Sequence, residues 1–158
     1  LKFPRLALKL AINGTLGVVF IGPTSAGACL INEEIAADKT LALAVQEKYL
    51  RVRDIFDLAF CRQKGAKPRK DWVHAKASQY GETVNQDLWN QTTQRVTQHI
   101  NSGQFAKEMA RFLVPNLYDD LMTSDAFLAY CADSVAYFMK AMQYEIKRRL
   151  AWIFSHLL

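Results

Sequence analysis

SDAFLAYCADSVAYFMKAMQYEIKRRLAWIFSHLL, residues 124–158, contains neither glycine nor proline. It predicts one C-terminal helix of roughly 50 Å at about 1.5 Å per residue, with Ser124 as its N-cap. Apolar residues recur in it at three- and four-residue steps, which predicts one buried stripe. The stripe consists of Leu128, Cys131, Val135, Phe138, Met139, Met142, Ile146, Leu150, Ile153 and Leu157.

The other side of this helix carries tyrosine. At about 100° per residue, Tyr130, Tyr137 and Tyr144 lie about 180° from the apolar stripe. Tyrosine combines apolar area with a hydroxyl that tolerates water, which is typical of protein interfaces. The helix is therefore either central within its own domain or shared with a second copy of the chain, in which case the three tyrosines form the interface.

Earlier segments also show helical periodicity. In residues 32–63 the apolar stripe includes Leu41, Val45, Tyr49, Val52, Phe56 and Ala59, which predicts one long surface helix. Shorter helices are predicted over residues 72–81 with Asp71 as N-cap, 83–100, 104–114 and 116–122. We therefore expect an all-α fold, a bundle of about five to six helices that ends in a long C-terminal helix.

The first thirty residues differ from this body. Four of the seven glycines lie between Gly14 and Gly27, and basic residues precede an apolar stretch. Such a segment resembles a secretory signal, although Asn13, Gly14 and Gly17 interrupt its apolar part.

Two further interpretations compete with a signal. GPTSAG at residues 22–27 is similar to the start of a Walker A phosphate loop, but Ala28 stands where that motif needs lysine. The third interpretation is an ordered apolar arm that packs on the body or on a neighbouring subunit. We favour the third, with residues 1–30 as a Gly-rich arm and residues 31–158 as a single helical domain.

The net charge of +5 is concentrated in the N-terminal half, where residues 1–70 hold 12 Lys and Arg against 6 Asp and Glu. Its densest run, RQKGAKPRK at residues 62–70, is expected to form a loop because of Gly65 and Pro68. A basic loop beside an aromatic ring can bind phosphates and stack a base. The predicted nucleic-acid-binding residues are Arg62, Lys64, Lys67, Arg69, Lys70 and Trp72, with Lys147, Arg148 and Arg149 as a second patch.

No combination of residues indicates an enzyme. The three cysteines and three histidines are scattered, without the spacing of a metal site, and no acid, base and nucleophile recur in a catalytic pattern. We therefore predict no catalytic residues, metal, cofactor or small-molecule substrate. The longest apolar stretch is too short to span a membrane, and free thiols favour a reducing compartment or a virion.

These observations together predict a non-enzymatic structural or assembly protein. It would form a homo-oligomer and bind RNA or DNA through its basic loops, as a coat or nucleocapsid protein does. The alternative is an exported or envelope-associated helical component whose N-terminal segment is a signal. We recognise no known family in these residues.

Overall fold

The computed structural model describes residues 26–46 and 48–143, with side chains from residue 32 onward. This part of the chain is helical throughout and contains no strand, which confirms the predicted all-α bundle. It holds seven helices, one more than expected: α1 Ala26–Val45, α2 Val52–Gln63, α3 Lys70–Tyr80, α4 Gln86–Asn101, α5 Gln104–Met109, α6 Pro115–Met122 and α7 Asp125–Gln143.

The additional helix arises because residues 32–63 are not continuous. Helix α1 ends at Val45, and Arg51 has extended backbone angles immediately before α2. Tyr49, predicted to face inward, is 62% exposed in the connecting segment. The prediction of one long helix is wrong because the chain turns back, so that α1 and α2 pack against each other. No glycine or proline marks this turn.

The other helix ends follow local rules. Gly81 ends α3 and Gly103 follows α4, both with left-handed backbone angles, as the sequence predicted. Asn85 caps α4 by accepting a hydrogen bond from the Leu88 amide at 2.9 Å, two residues later than the predicted start. Asp71 is not an N-cap, since Arg69 holds that position and Asp71 lies in the first turn of α3.

Helix α7 begins as predicted, with Ser124 Oγ accepting a hydrogen bond from the Phe127 amide. It packs most extensively against α4 and α2, and also against α6 and α1. Within the described residues the predicted apolar stripe faces the core: Leu128 is half-buried, and Cys131, Val135, Phe138, Met139 and Met142 are buried. The stripe members Ile146, Leu150, Ile153 and Leu157 lie outside the described part of the chain. Helix α7 thus buries one face against four other helices, whereas Asp133, Tyr137 and Lys140 on its other side are exposed.

Two boundaries bear on the predicted organisation. Helix α1 begins at Ala26, inside the segment predicted as an arm, whereas residues 1–25 and 144–158 lie outside the described part. The division into an arm and one helical domain stays a prediction. Within the described residues, no helix combines the length and the apolar character needed to cross a bilayer.

Candidate active site

A charged cluster lies where α1 and α2 face each other. Lys39 on α1 donates a hydrogen bond to Asp54 on α2, and its Nζ is also 2.9 Å from Asp57 Oδ2. The two aspartates are three residues apart on α2 and so lie on the same face of the helix. Because α1 and α2 turn back on each other, one ammonium group reaches both carboxylates.

The cluster is unevenly buried. The Asp54 side chain is 2% exposed, whereas Asp57 is 19% and Lys39 is 26% exposed. A buried carboxylate is costly unless it is paired, and the ammonium of Lys39 supplies that pairing. Asp54 Oδ2 accepts no hydrogen bond among the described residues, although Arg51 Nε approaches it to 3.6 Å. The cluster therefore combines a buried carboxylate with a lysine that solvent still reaches.

The environment fixes the protonation state of Lys39. Burial by itself lowers the Lys39 pKa, but hydrogen bonds and charges from Asp54 and Asp57 more than offset that effect, so the pKa lies above its ordinary value. Lys39 is therefore a cation at neutral pH and cannot serve there as a base. Cys61, one turn after Asp57, is also protonated, because burial and the Asp57 charge raise its pKa to about 12.

The sequence did not single out this cluster. On the one continuous helix predicted for residues 32–63, Asp54 and Asp57 fall outside the apolar stripe, and Lys39 and Asp54 would be about 22 Å apart. The only available signal was the spacing of the two aspartates along α2, which is common on helix surfaces. The turn between α1 and α2 brings the charges together.

The predicted basic loop is shorter than expected, because Arg62 and Gln63 belong to α2 and Lys70 begins α3. Within it, Arg69 is bound to neighbouring side chains. The Arg69 guanidinium donates two hydrogen bonds to Asp71, at 3.0 and 2.7 Å, and lies 3.5 Å from Glu33. It also stacks on Trp72, with its central carbon 4.1 Å from the ring centroid. Glu33 accepts a further hydrogen bond from the Lys67 backbone amide. Much of the charge of Arg69 is therefore neutralised within the chain.

The lysines of this loop differ from Arg69. The Lys64 and Lys67 residues are exposed, and the Lys64 ammonium lies 5.5 Å from the Phe60 ring centroid. Lys70 is half-buried and is the first residue of α3. The nucleic-acid role of the loop stays a prediction, and Lys64 and Lys67 are its most accessible cations.

Two predicted sites meet on α7. Arg62, assigned to nucleic-acid binding, lies over Tyr130 and Tyr137, which were assigned to self-association; the guanidinium carbon is 5.4 Å and 5.0 Å from the two ring centroids. Tyr130 also donates a hydrogen bond to the Ala59 carbonyl. Tyr137 remains 39% exposed. Part of the tyrosine face therefore contacts α2 of the same chain, and a homo-oligomer stays a prediction.

The remaining predicted residues lie outside the described part of the chain. They are Tyr144, Lys147, Arg148 and Arg149. Within residues 26–46 and 48–143, no group of three or more His, Cys, Asp and Glu side chains could hold a metal ion. In the cluster on α1 and α2, the lysine ammonium occupies the space between the two carboxylates that a cation would take.

Comparison with known proteins identifies the family. No curated protein and no solved structure matches the chain. A family model described as "Nucleotidyl transferase AbiEii toxin, Type IV TA system" matches residues 28–130, well over half of the chain, and this range includes Lys39, Asp54 and Asp57. The prediction of a non-enzymatic structural or assembly protein, whether coat-like or envelope-associated, is wrong because this family is one of transferases. The chain belongs to the AbiEii family of nucleotidyl transferase toxins from type IV toxin–antitoxin systems.

Proposed function

We propose that this protein is a nucleotidyl transferase and that Lys39, Asp54 and Asp57 form part of its active site. The observation that carries the proposal is the placement of a solvent-accessible lysine between two aspartates within the range matched by the family. Ionisable groups whose pKa is shifted, as that of Lys39 is, are concentrated at functional sites. In the described helices this cluster joins one cation to two carboxylates across a helix pair.

Nucleotidyl transfer places specific demands on such a site. An acceptor oxygen attacks the α-phosphorus of a nucleoside triphosphate, the bond from that phosphorus to the bridging oxygen breaks, and pyrophosphate leaves. The acceptor proton passes to a base or to water. Negative charge on the phosphate oxygens is stabilised by cations already in position, which is where Lys39 contributes.

Lys39 has the donor capacity for this role. An ammonium group has three N–H donors, and contacts with Asp54 and Asp57 occupy two of them. The third can donate to a phosphate oxygen, because the Lys39 side chain is 26% exposed. Its raised pKa keeps it charged. The aspartates hold the ammonium in one position, so little reorganisation is needed when the nucleotide binds.

The two aspartates have different surroundings and so different roles. Asp54 is buried and positions Lys39. Asp57 is partly exposed and can accept a hydrogen bond from a bound hydroxyl as well as from Lys39. Divalent metal ions commonly assist this class of reaction, but the described side chains do not form a metal site. The contribution that we propose for these helices is phosphate binding and positioning.

Transfer of labelled nucleotide tests the proposal. The purified protein would be incubated with α-labelled nucleoside triphosphates, a magnesium buffer and cellular RNA, and label in RNA and in the protein itself would be counted. We expect incorporation by the unchanged protein and a loss of at least about tenfold in Lys39→Met and Asp57→Asn, which corresponds to one lost charged contact. Lys48→Met and Asp120→Asn are matched controls, because both residues are exposed.

The outcomes separate clearly when each variant is first shown to be folded by circular dichroism. Absence of incorporation by the unchanged protein into any acceptor would refute nucleotidyl transfer for this chain. Incorporation that survives in both Lys39→Met and Asp57→Asn would refute the assigned site while leaving the activity standing.

Nucleic acid is the acceptor class that we favour. The exposed Lys64 and Lys67 provide positive charge, and Lys64 lies over the Phe60 ring. Basic surfaces with aromatic rings bind the phosphate backbone of nucleic acid. RNase or DNase digestion of the labelled product identifies the acceptor. Label that resists both nucleases but is released by protease would instead indicate a protein acceptor.

A further inference from the structure

Arg62 has an unusual environment for a charged side chain. It stacks on Tyr130 and Tyr137, and its Nη1 is 3.4 Å from Ser134 Oγ, which lies between the two tyrosines on α7. Within the described residues it forms an ion pair with no carboxylate, in contrast to Arg69, which pairs with Asp71 and Glu33. In the described part of the chain, no carboxylate therefore compensates the positive charge of Arg62.

The surrounding contacts fix the position of this charge. Ser134 donates its hydroxyl proton to the Tyr130 carbonyl at 2.6 Å, and the Tyr130 hydroxyl binds the Ala59 carbonyl. One guanidinium has five N–H donors, and the Ser134 contact uses one of them. Arg62 is thus held in place, and its contacts with residues 26–46 and 48–143 use only one of its N–H donors.

We propose that Arg62 and Tyr137 form a binding point for single-stranded nucleic acid. Arg62 binds a backbone phosphate, to which its planar fork can donate two parallel hydrogen bonds. Tyr137 is 39% exposed and provides a ring on which an unpaired base can stack. This proposal rests on the proposed function in one respect: the bound strand would be the acceptor of the transferred nucleotide.

Binding of nucleic acid can be measured in the absence of nucleotidyl transfer. The proposed binding point and the proposed enzymatic activity can therefore fail separately. Fluorescence anisotropy would follow a labelled 20-nucleotide RNA of mixed sequence, and the DNA of the same sequence, binding to the Asp57→Asn protein without nucleoside triphosphate. We expect Arg62→Gln to weaken binding about tenfold and to reduce the salt dependence by about one phosphate contact. Arg111→Gln is the matched control, because Arg111 is an exposed arginine distant in sequence from this surface.

Variants of the ring separate stacking from charge. We expect Tyr137→Phe to bind as the parent does and Tyr137→Leu to bind several-fold more weakly, since only the first keeps a ring. Arg62→Lys keeps the positive charge but lacks the planar guanidinium. Its affinity for nucleic acid should lie between those of the parent and Arg62→Gln. Equal binding by the Arg62→Gln and Arg111→Gln proteins to both RNA and DNA would overturn the proposal, as would absence of binding by the parent protein. Thermal melting of each variant establishes that a loss is not unfolding.

Discussion

Lys39 and Asp54, fifteen residues apart in the sequence, are hydrogen-bonded across the interface between α1 and α2. Asp54 is 2% exposed, so removal of its partner leaves a buried charge unpaired. We expect Lys39→Met to lower the free energy of unfolding by about 2 kcal/mol, less than the ~3–5 kcal/mol of a fully buried pair because Lys39 stays partly solvated. Urea unfolding at pH 7 measures this.

A compensating change tests the cause of that loss. In the double variant Lys39→Met, Asp54→Asn, an uncharged amide replaces the buried carboxylate. About half of the stability that Lys39→Met loses should therefore return. If the double variant is less stable than Lys39→Met alone, the loss comes from packing rather than from the unpaired charge. Lys48→Met, which changes an exposed lysine, should be within about 0.5 kcal/mol of the parent.

Alkaline pH should destabilise the protein through Cys61. Its folded pKa of about 12 lies above the ordinary value of 9.0, so the unfolded chain loses its thiol proton first as pH rises. Cys61 therefore supports folding fully below about pH 9, and this contribution falls by up to about 1.4 kcal/mol per pH unit above it. Urea unfolding between pH 8 and pH 10.5 should show a shallower decline in Cys61→Ala than in the parent protein. Parallel declines would show that the Cys61 thiol is not responsible.

Gly81 should be costly to replace. It ends α3 with φ of +71°, and a Cβ built there meets no atom within 4 Å, so backbone strain rather than crowding sets the cost. We expect Gly81→Ala to destabilise the protein by about 1 kcal/mol, and Gly81→Asn by less, because asparagine adopts this conformation more readily. Thermal melting of both variants is the test, and equal melting temperatures for Gly81→Ala and the parent would contradict it.

The loop at residues 64–69 should show graded effects on nucleic-acid binding. Arg69 is neutralised by Asp71 and Glu33, whereas Lys67 has an exposed side chain. Lys67→Gln should therefore weaken RNA binding several-fold and lower its salt dependence, and Arg69→Gln should do so less. Anisotropy titrations at three salt concentrations compare the two. A larger effect of Arg69→Gln would indicate that nucleic acid displaces its carboxylate partners.

The fold class could be predicted because it depends on periodicity and local end signals. Ser124, Gly81 and Gly103 mark helix ends through capping or backbone conformation, and the structure places each of them at a helix end. The turn between α1 and α2 could not be predicted, because its residues are compatible with a helix and only packing of the two helices against each other favours the turn.

The candidate site was missed for the same reason. Lys39, Asp54 and Asp57 are ordinary surface residues in the sequence, and only the tertiary contact makes them a cluster. Arg62 was predicted for nucleic-acid binding and Tyr137 for self-association, but their contact, which joins residues 75 positions apart in two helices, could not be predicted. The residue pattern along one helix does not indicate which charged residues of another helix will pack against it.

The turn at residues 46–51 also determines what a fragment of this chain can do. Lys39 lies before the turn, and Asp54 and Asp57 lie after it, so neither half of the chain contains the complete cluster. A chain divided between the exposed residues Lys48 and Tyr49 would recover the cluster only by reassociation of the two pieces, at a rate that depends on their concentration. The segment is therefore a natural place to split the protein into two halves whose reunion switches the site on.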